Sequence, residues 1–104
     1  MVANPRLVKV HITYRHTEPT DALSQMADEK ISHCLQKYIH HDTEVNVVMK
    51  VEKMRQIAEA SFRVDGHDFF ACEESADMYA SLDSLVTSIS RQLVKHKEKI
   101  TSHK

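Results

Sequence analysis

Residues 44–73 read EVNVVMKVEKMRQIAEASFRVDGHDFFACE, and three consecutive strands are legible in them. From 44 to 52, Val45, Val47, Met49 and Val51 recur at every second position. From 57 to 64 the same is true of Ala58, Ala60, Phe62 and Val64. A period of two is that of a strand with one face buried. The polar segment Lys53–Met54–Arg55 reads as the loop between them. Asp65–Gly66 then predicts a two-residue hairpin turn, because both residue types accept positive φ. A further strand over 67–73 follows, with two inward faces open to it, Phe69/Ala71 or Phe70/Cys72.

Working outward, residues 7–14 alternate again, with Val8, Val10, Ile12 and Tyr14 on one side and Lys9, His11 and Thr13 on the other. Pro19 and Thr20 end that strand, and Thr20 is suited to cap a helix. Asp21 favours the positive end of the helix dipole. Leu23, Ala27, Ile31, Cys34, Leu35 and Tyr38 keep helical spacing, so a helix is expected over 21–38, with a turn at His40–His41–Asp42. On the other side, Ser75 is the expected cap of a long helix running to about residue 100. Its stripe is Tyr79, Leu82, Val86, Ile89 and Leu93.

The order is β-α-β-β-β-α, an α+β fold. One crossover and two hairpins give a four-stranded sheet, and crossover handedness puts both helices on one face. The other face is then open to solvent. At 104 residues the chain is expected to form one domain, 1–104.

Hydrophobic residues make up 41% of the chain and charged residues 28%, ordinary values for a globular domain. No apolar run suits a signal peptide or the roughly 20 residues of a membrane span. No membrane partner is therefore expected, and a cytoplasmic location is. Cys34 and Cys72 lie far apart outside any CxxC pattern and fit core thiols in a reducing compartment.

No nucleophile elbow, phosphate loop or zinc-protease signature is present, and a single glycine could not build a Gly-rich cradle. The acidic pairs Asp28–Glu29 and Glu73–Glu74 lack a catalytic setting, and Glu74 and Asp77 suit a helix start instead. The eight histidines, including His40–His41, His96 and His103, show no metal-ligand spacing, and histidines in loops and tails read as solvated. The expectation is a binding protein with no catalytic residue, cofactor or metal.

The net charge of −1 conceals a polarised chain. Residues 91–104 hold five basic groups and one acid, whereas 64–90 hold six acids and neither Lys nor Arg. Arg91, Lys95 and Lys99 are spaced i, i+4, i+8 on one helix face, and Lys30 and Lys37 share a face of the first helix. If the helices lie side by side, these groups form a patch suited to phosphates. Tyr14, Tyr38 and Tyr79 fall on expected core faces, so aromatic stacking on bases is expected to be minor.

Several segments carry a resemblance to a family. They are Arg15-His16, Thr20-Asp21-Ala22, Glu29-Lys30-Ile31, Val51-Glu52-Lys53, Ala58-Glu59-Ala60, the stretch Asp77-Met78-Tyr79-Ala80-Ser81-Leu82-Asp83, and Arg91 to Lys99, RQLVKHKEK. Together, spanning nearly the whole chain, they resemble the ribosome hibernation promoting factors. The resemblance implies a β-α-β-β-β-α fold and a partner in the small ribosomal subunit and its rRNA, bound in the channel used by mRNA and tRNA. It implies idling of ribosomes in stationary phase or stress. Arg91, Lys95, Lys97 and Lys99, with Lys30, would face rRNA, Lys37 would join their patch, and Lys53 and Arg55 would be secondary contacts. The chain looks most like the family's short form, a monomer free in solution, with a second hibernation factor as a partner on paired ribosomes. Two rival readings are a general double-stranded-RNA module and a protein-interaction module built on the acidic 64–90 region. A small metal-dependent enzyme is a third.

Overall fold

The computed structural model describes residues 7–101, and the side chains of 7–99. Arg6, His103 and Lys104 lie outside the described residues. Along the chain run β1 (Val8–Arg15), α1 (Asp21–Gln36), β2 (Thr43–Glu52), β3 (Arg55–Val64), β4 (His67–Ser75) and α2 (Met78–Thr101). The sheet order is β1-β2-β3-β4, with β1 parallel to β2 and the other pairs antiparallel. This is the architecture the periodicities predict.

Local chemistry fixes the ends of the elements. The Thr20 hydroxyl accepts a hydrogen bond from the Leu23 amide at 3.1 Å, capping α1. α1 stops at Gln36, two residues short of expectation, because the Tyr38 and Ile39 amides both turn back onto the Leu35 carbonyl. Ile39 is thereby buried. At the start of α2 the cap is Asp77 rather than Ser75: its carboxylate accepts from the Tyr79 amide at 3.2 Å. Ser75 ends β4, and its hydroxyl accepts from the Asp77 amide at 3.1 Å, bending the chain into the cap.

The β2–β3 turn is shorter than expected. Glu52 pairs with Arg55, so the turn is Lys53–Met54 alone and Arg55 opens β3 instead of lying in the loop. Lys53 takes φ 57° there. In the β3–β4 turn Asp65 and Gly66 take φ 55° and 77°, the double positive-φ turn expected from Asp-Gly.

The core lies between the sheet and both helices. Val45, Val47, Met49, Ala58, Ala60, Phe62 and Val64 face Ala27, Ile31, Cys34 and Leu35 of α1 and the stripe of α2. That stripe is Met78, Leu82, Leu85, Ile89 and Leu93, all buried. Tyr79, expected inside, is 45% exposed. The two candidate stripes share Leu82, Ile89 and Leu93, and the packing of Met78 and Leu85 turns Tyr79 outward.

β4 turns Phe69 and Ala71 inward. Phe69 stacks on Phe62 with ring centroids 5.2 Å apart, and Phe70 is left 58% exposed. Of the two expected core thiols, only Cys34 is buried. Cys72 shares the outer face with Phe70 and is exposed.

The outer face of the sheet carries cross-strand ion pairs: Lys50 with Glu59 at 3.1 Å, Arg63 with Asp68 at 3.0 Å, and Arg55 with Glu74. Ile57 is buried on this face, between Lys50 and Glu74 in register. Among the described residues no helix is long and apolar enough to cross a membrane.

Candidate nucleic-acid interface

The two helices lie side by side on the sheet, and their outer surfaces carry Lys30, Lys37, Arg91, Lys95, Lys97 and Lys99, all exposed. Lys30 of α1 reaches Asp83 of α2 at 3.2 Å, bridging the pair. Between the helices runs a groove of about 720 Å³, and Lys30, Lys37 and Arg91 all line it. Three cations separated in sequence by up to 61 positions thus share one cleft, as side-by-side helices require.

The remaining basic groups of α2 divide between its two flanks. Lys97 lies with Lys37, Tyr38 and His40 in a depression on the α1 side. Lys95 and Lys99 line another depression, with His67, Asp68 and Phe69 of β4. The row Arg91, Lys95, Lys99 therefore spirals across the helix. At about 100° per residue, each step of four advances it by about 40°.

What holds this row in place was not read from the sequence. Gln92 donates from its side-chain amide to the Phe70 carbonyl at 3.0 Å. His96, expected to be merely solvated, is a packed residue. Its side chain is only 12% exposed, and Nε2 lies 3.2 Å from an Asp65 carboxylate oxygen. The imidazole also meets His67 and Phe69 edge-on, with centroid distances of 4.8 and 5.3 Å. A signal for both anchors does exist: Leu85, Ile89, Gln92 and His96 continue the buried stripe at steps of four, three and four. The RQLVKHK segment thus alternates outward cations with side chains that clamp α2 to the β3–β4 hairpin.

The acidic stretch 64–90 is largely used internally. Asp65 holds His96, Asp68 holds Arg63, Glu74 holds Arg55, Asp83 holds Lys30, and Asp77 caps α2. Only Glu73 is left, and it lines a groove with Arg91. The Arg55 guanidinium, by its hydrogen bonds and its charge, holds the Glu74 carboxyl below the ordinary glutamate range. Burial pushes the Cys34 thiol up. Burial, and then the nearby Glu59 carboxylate, does the same to Cys72.

Lys53 and Arg55 sit elsewhere. They lie at the β2–β3 turn, beside the start of α2, whereas His96 meets the opposite end of the sheet at Asp65. The ten residues of β3 separate the two ends, roughly 30 Å of strand. Arg55 is also engaged by Glu74 through two nitrogens. Among the described residues no three His, Cys, Asp or Glu side chains come together as metal ligands would.

A family model described as Sigma 54 modulation protein / S30EA ribosomal protein matches residues 10–101. The chain belongs to that family.

Curated ribosome hibernation promoting factors are among its similar proteins. One from Klebsiella oxytoca is 38% identical over 96 residues, covering 92% of this chain and all of that protein. One from Azotobacter vinelandii is 42% identical over 92 residues, 88% of this chain and 85% of that one. The fold matches that of the N-terminal domain of Protein Y from Thermus thermophilus, with a TM-score of 0.76 and 22% identity over 85% of this chain and 98% of that one. It also matches a ribosomal subunit interface protein from Coxiella burnetii, with a TM-score of 0.71 and 24% identity over 84% and 97% of the two chains. In this hibernation promoting factor fold the resemblance segment at 77–83 has a structural role. Asp77 caps α2, Ser81 and Leu82 are fully buried beneath it, and Asp83 returns to Lys30.

Proposed function

We propose that this protein idles ribosomes by lodging its helical face against the rRNA of the small subunit, in the channel used by mRNA and tRNA. The observation that carries this reading is the gathering of Lys30, Lys37 and Arg91 in one groove, with Lys95, Lys97 and Lys99 continuing along α2. The names of its relatives supply the ribosome as partner.

Affinity comes mainly from phosphates displacing condensed counterions, and the shape of the domain fixes its position on structured RNA. Inhibition is steric. A body of 47 × 32 × 19 Å excludes mRNA and tRNA from the channel without a chemical step. Its length lets Lys53 and Arg55 at the far end make secondary contacts while α2 holds the main one. The whole chain acts as one ribosome-binding domain in the cytoplasm, monomeric when free, with a second hibernation factor as its companion on paired ribosomes.

Co-sedimentation of the protein with small subunits, in the presence of excess long duplex RNA, tests the reading. The expected result is retention on the subunit at duplex concentrations well above that of ribosomes, with cell-free translation inhibited. Complete displacement by the duplex would make the protein a general double-stranded-RNA binder instead.

A further inference from the structure

We propose that the groove between α1 and α2 seats one unpaired nucleotide of RNA, its flanking phosphates on Lys30, Lys37 and Arg91 and its base on the groove floor beside His33. The inference deepens the ribosome-binding reading and rests on it.

The groove's size and lining suit such a ligand. A volume of about 720 Å³ lies within the roughly 300–1,000 Å³ of small-ligand sites, enough for a nucleotide and too little for a helix. The cations stand on both walls: Lys30 and Lys37, two helical turns apart on α1, and Arg91 on α2. Consecutive phosphates of one strand therefore meet different cations. Between them the floor is apolar, made by Val86 and the buried Cys34, whose thiol hydrogen-bonds the half-buried Ser90 hydroxyl. His33 is exposed on the α1 wall, where an imidazole stacks on an unstacked base.

Duplex RNA cannot use this arrangement. An A-form helix keeps its bases stacked inside and presents phosphates and 2′-hydroxyls only. Glu29 is the one acid among the described residues lining the groove. Asp83 holds Lys30, but both side chains are about half exposed or more, so an incoming phosphate displaces it readily.

The test uses the full chain and two fluorescent ten-nucleotide probes, oligouridylate and an abasic strand of the same charge. Wild type should bind the base-bearing strand about five-fold tighter or more, the effect of stacking one base. In His33→Ala, and separately in Thr87→Leu, which adds uncharged bulk at the groove's exposed lip, that ratio should fall towards one. The salt dependence of binding should be unchanged in both. Equal binding of the two strands by wild type would overturn the proposal, as would an unchanged ratio in both folded variants. Small-subunit co-sedimentation is measured beside it. Subunit binding without base preference sinks the groove inference alone, and base preference without subunit binding sinks the ribosome reading and leaves a single-strand site.

Discussion

Replacing Ser81 by alanine removes one oxygen atom from the most protected polar position in the described fold. Ser81 is fully buried beneath the first turns of α2. Its hydroxyl donates to the Gln56 carbonyl of β3 at 2.6 Å and lies 3.0 Å from the Ser75 hydroxyl, joining the helix to the end of the sheet. Alanine leaves the Gln56 carbonyl without this donor. Losing a buried hydrogen bond while its partner stays buried costs ~1–3 kcal/mol. With a urea slope of ~1–3 kcal/mol per molar for a small domain, the unfolding midpoint should fall by about 1 M at unchanged slope. A loss of ~2 kcal/mol should lower the melting temperature by ~8–16 °C. Urea titration followed by circular dichroism measures it. A midpoint within ~0.2 M of wild type would show that the hydroxyl does not tie α2 to β3.

Leu82→Ala, at a fully buried position of the α2 stripe, should cost ~2–5 kcal/mol by the same titration, and a wild-type midpoint would mean the helix phase is wrong. The protein should scatter light as a monomer at micromolar concentration, and twice the chain mass would point to pairing through an open sheet edge. The Arg55–Glu74 pair makes part of the acid stability pH-dependent. Because Glu74 titrates lower in the fold than in the unfolded chain, its contribution is complete above the ordinary glutamate range and fades as pH drops through the folded value. Glu74→Gln should therefore lower the urea midpoint at pH 7, and its difference from wild type should shrink as the pH falls through the folded value; a loss that stays equal as the pH falls would refute the assignment.

Most of the fold was legible because burial imposes a period. Alternation fixed β1, β2 and β3, and Asp-Gly fixed the β3–β4 turn. Where the pattern was degenerate, the structure had to decide. Phe69 and Phe70 are adjacent and equally apolar, and only the register that puts Phe69 opposite Phe62 selects the inner one. The same choice moves Cys72 outside. Tyr79 misled because its spacing to Leu82 is as helical as that of Met78.

The candidate site was legible in part. Helical spacing brought out Lys30 and Lys37 as one row and Arg91, Lys95 and Lys99 as another. It could not show that Arg91 faces the α1 groove while Lys95 and Lys99 lean towards β4, since that depends on how α2 sits on the sheet. The pairing of Arg55 with Glu74 joins residues nineteen positions apart and needs the β3–β4 register. The roles of Gln92 and His96 were hidden because polar residues at the edge of an apolar stripe look like its boundary.

The central claim is that the cations of α2 bind the ribosome, and changing Arg91, Lys95 and Lys99 together to Glu tests it most directly. Asp65 should be kept intact in any control, because it anchors His96 and thereby α2. Glu44→Gln, on the open sheet face beside His11 and outside the depressions that hold the α2 cations, is the suitable comparison. Exposed charge changes usually alter stability by under ~0.5 kcal/mol, and circular dichroism confirms that each protein is folded before binding is measured. In small-subunit co-sedimentation across a salt series, single alanine variants should each lower the salt slope by about one. The folded triple-Glu protein should stay in the supernatant and no longer inhibit cell-free translation, while the control pellets and inhibits as wild type does. A folded triple-Glu protein that still pellets like wild type would contradict the account and place the ribosome-binding surface elsewhere on the fold.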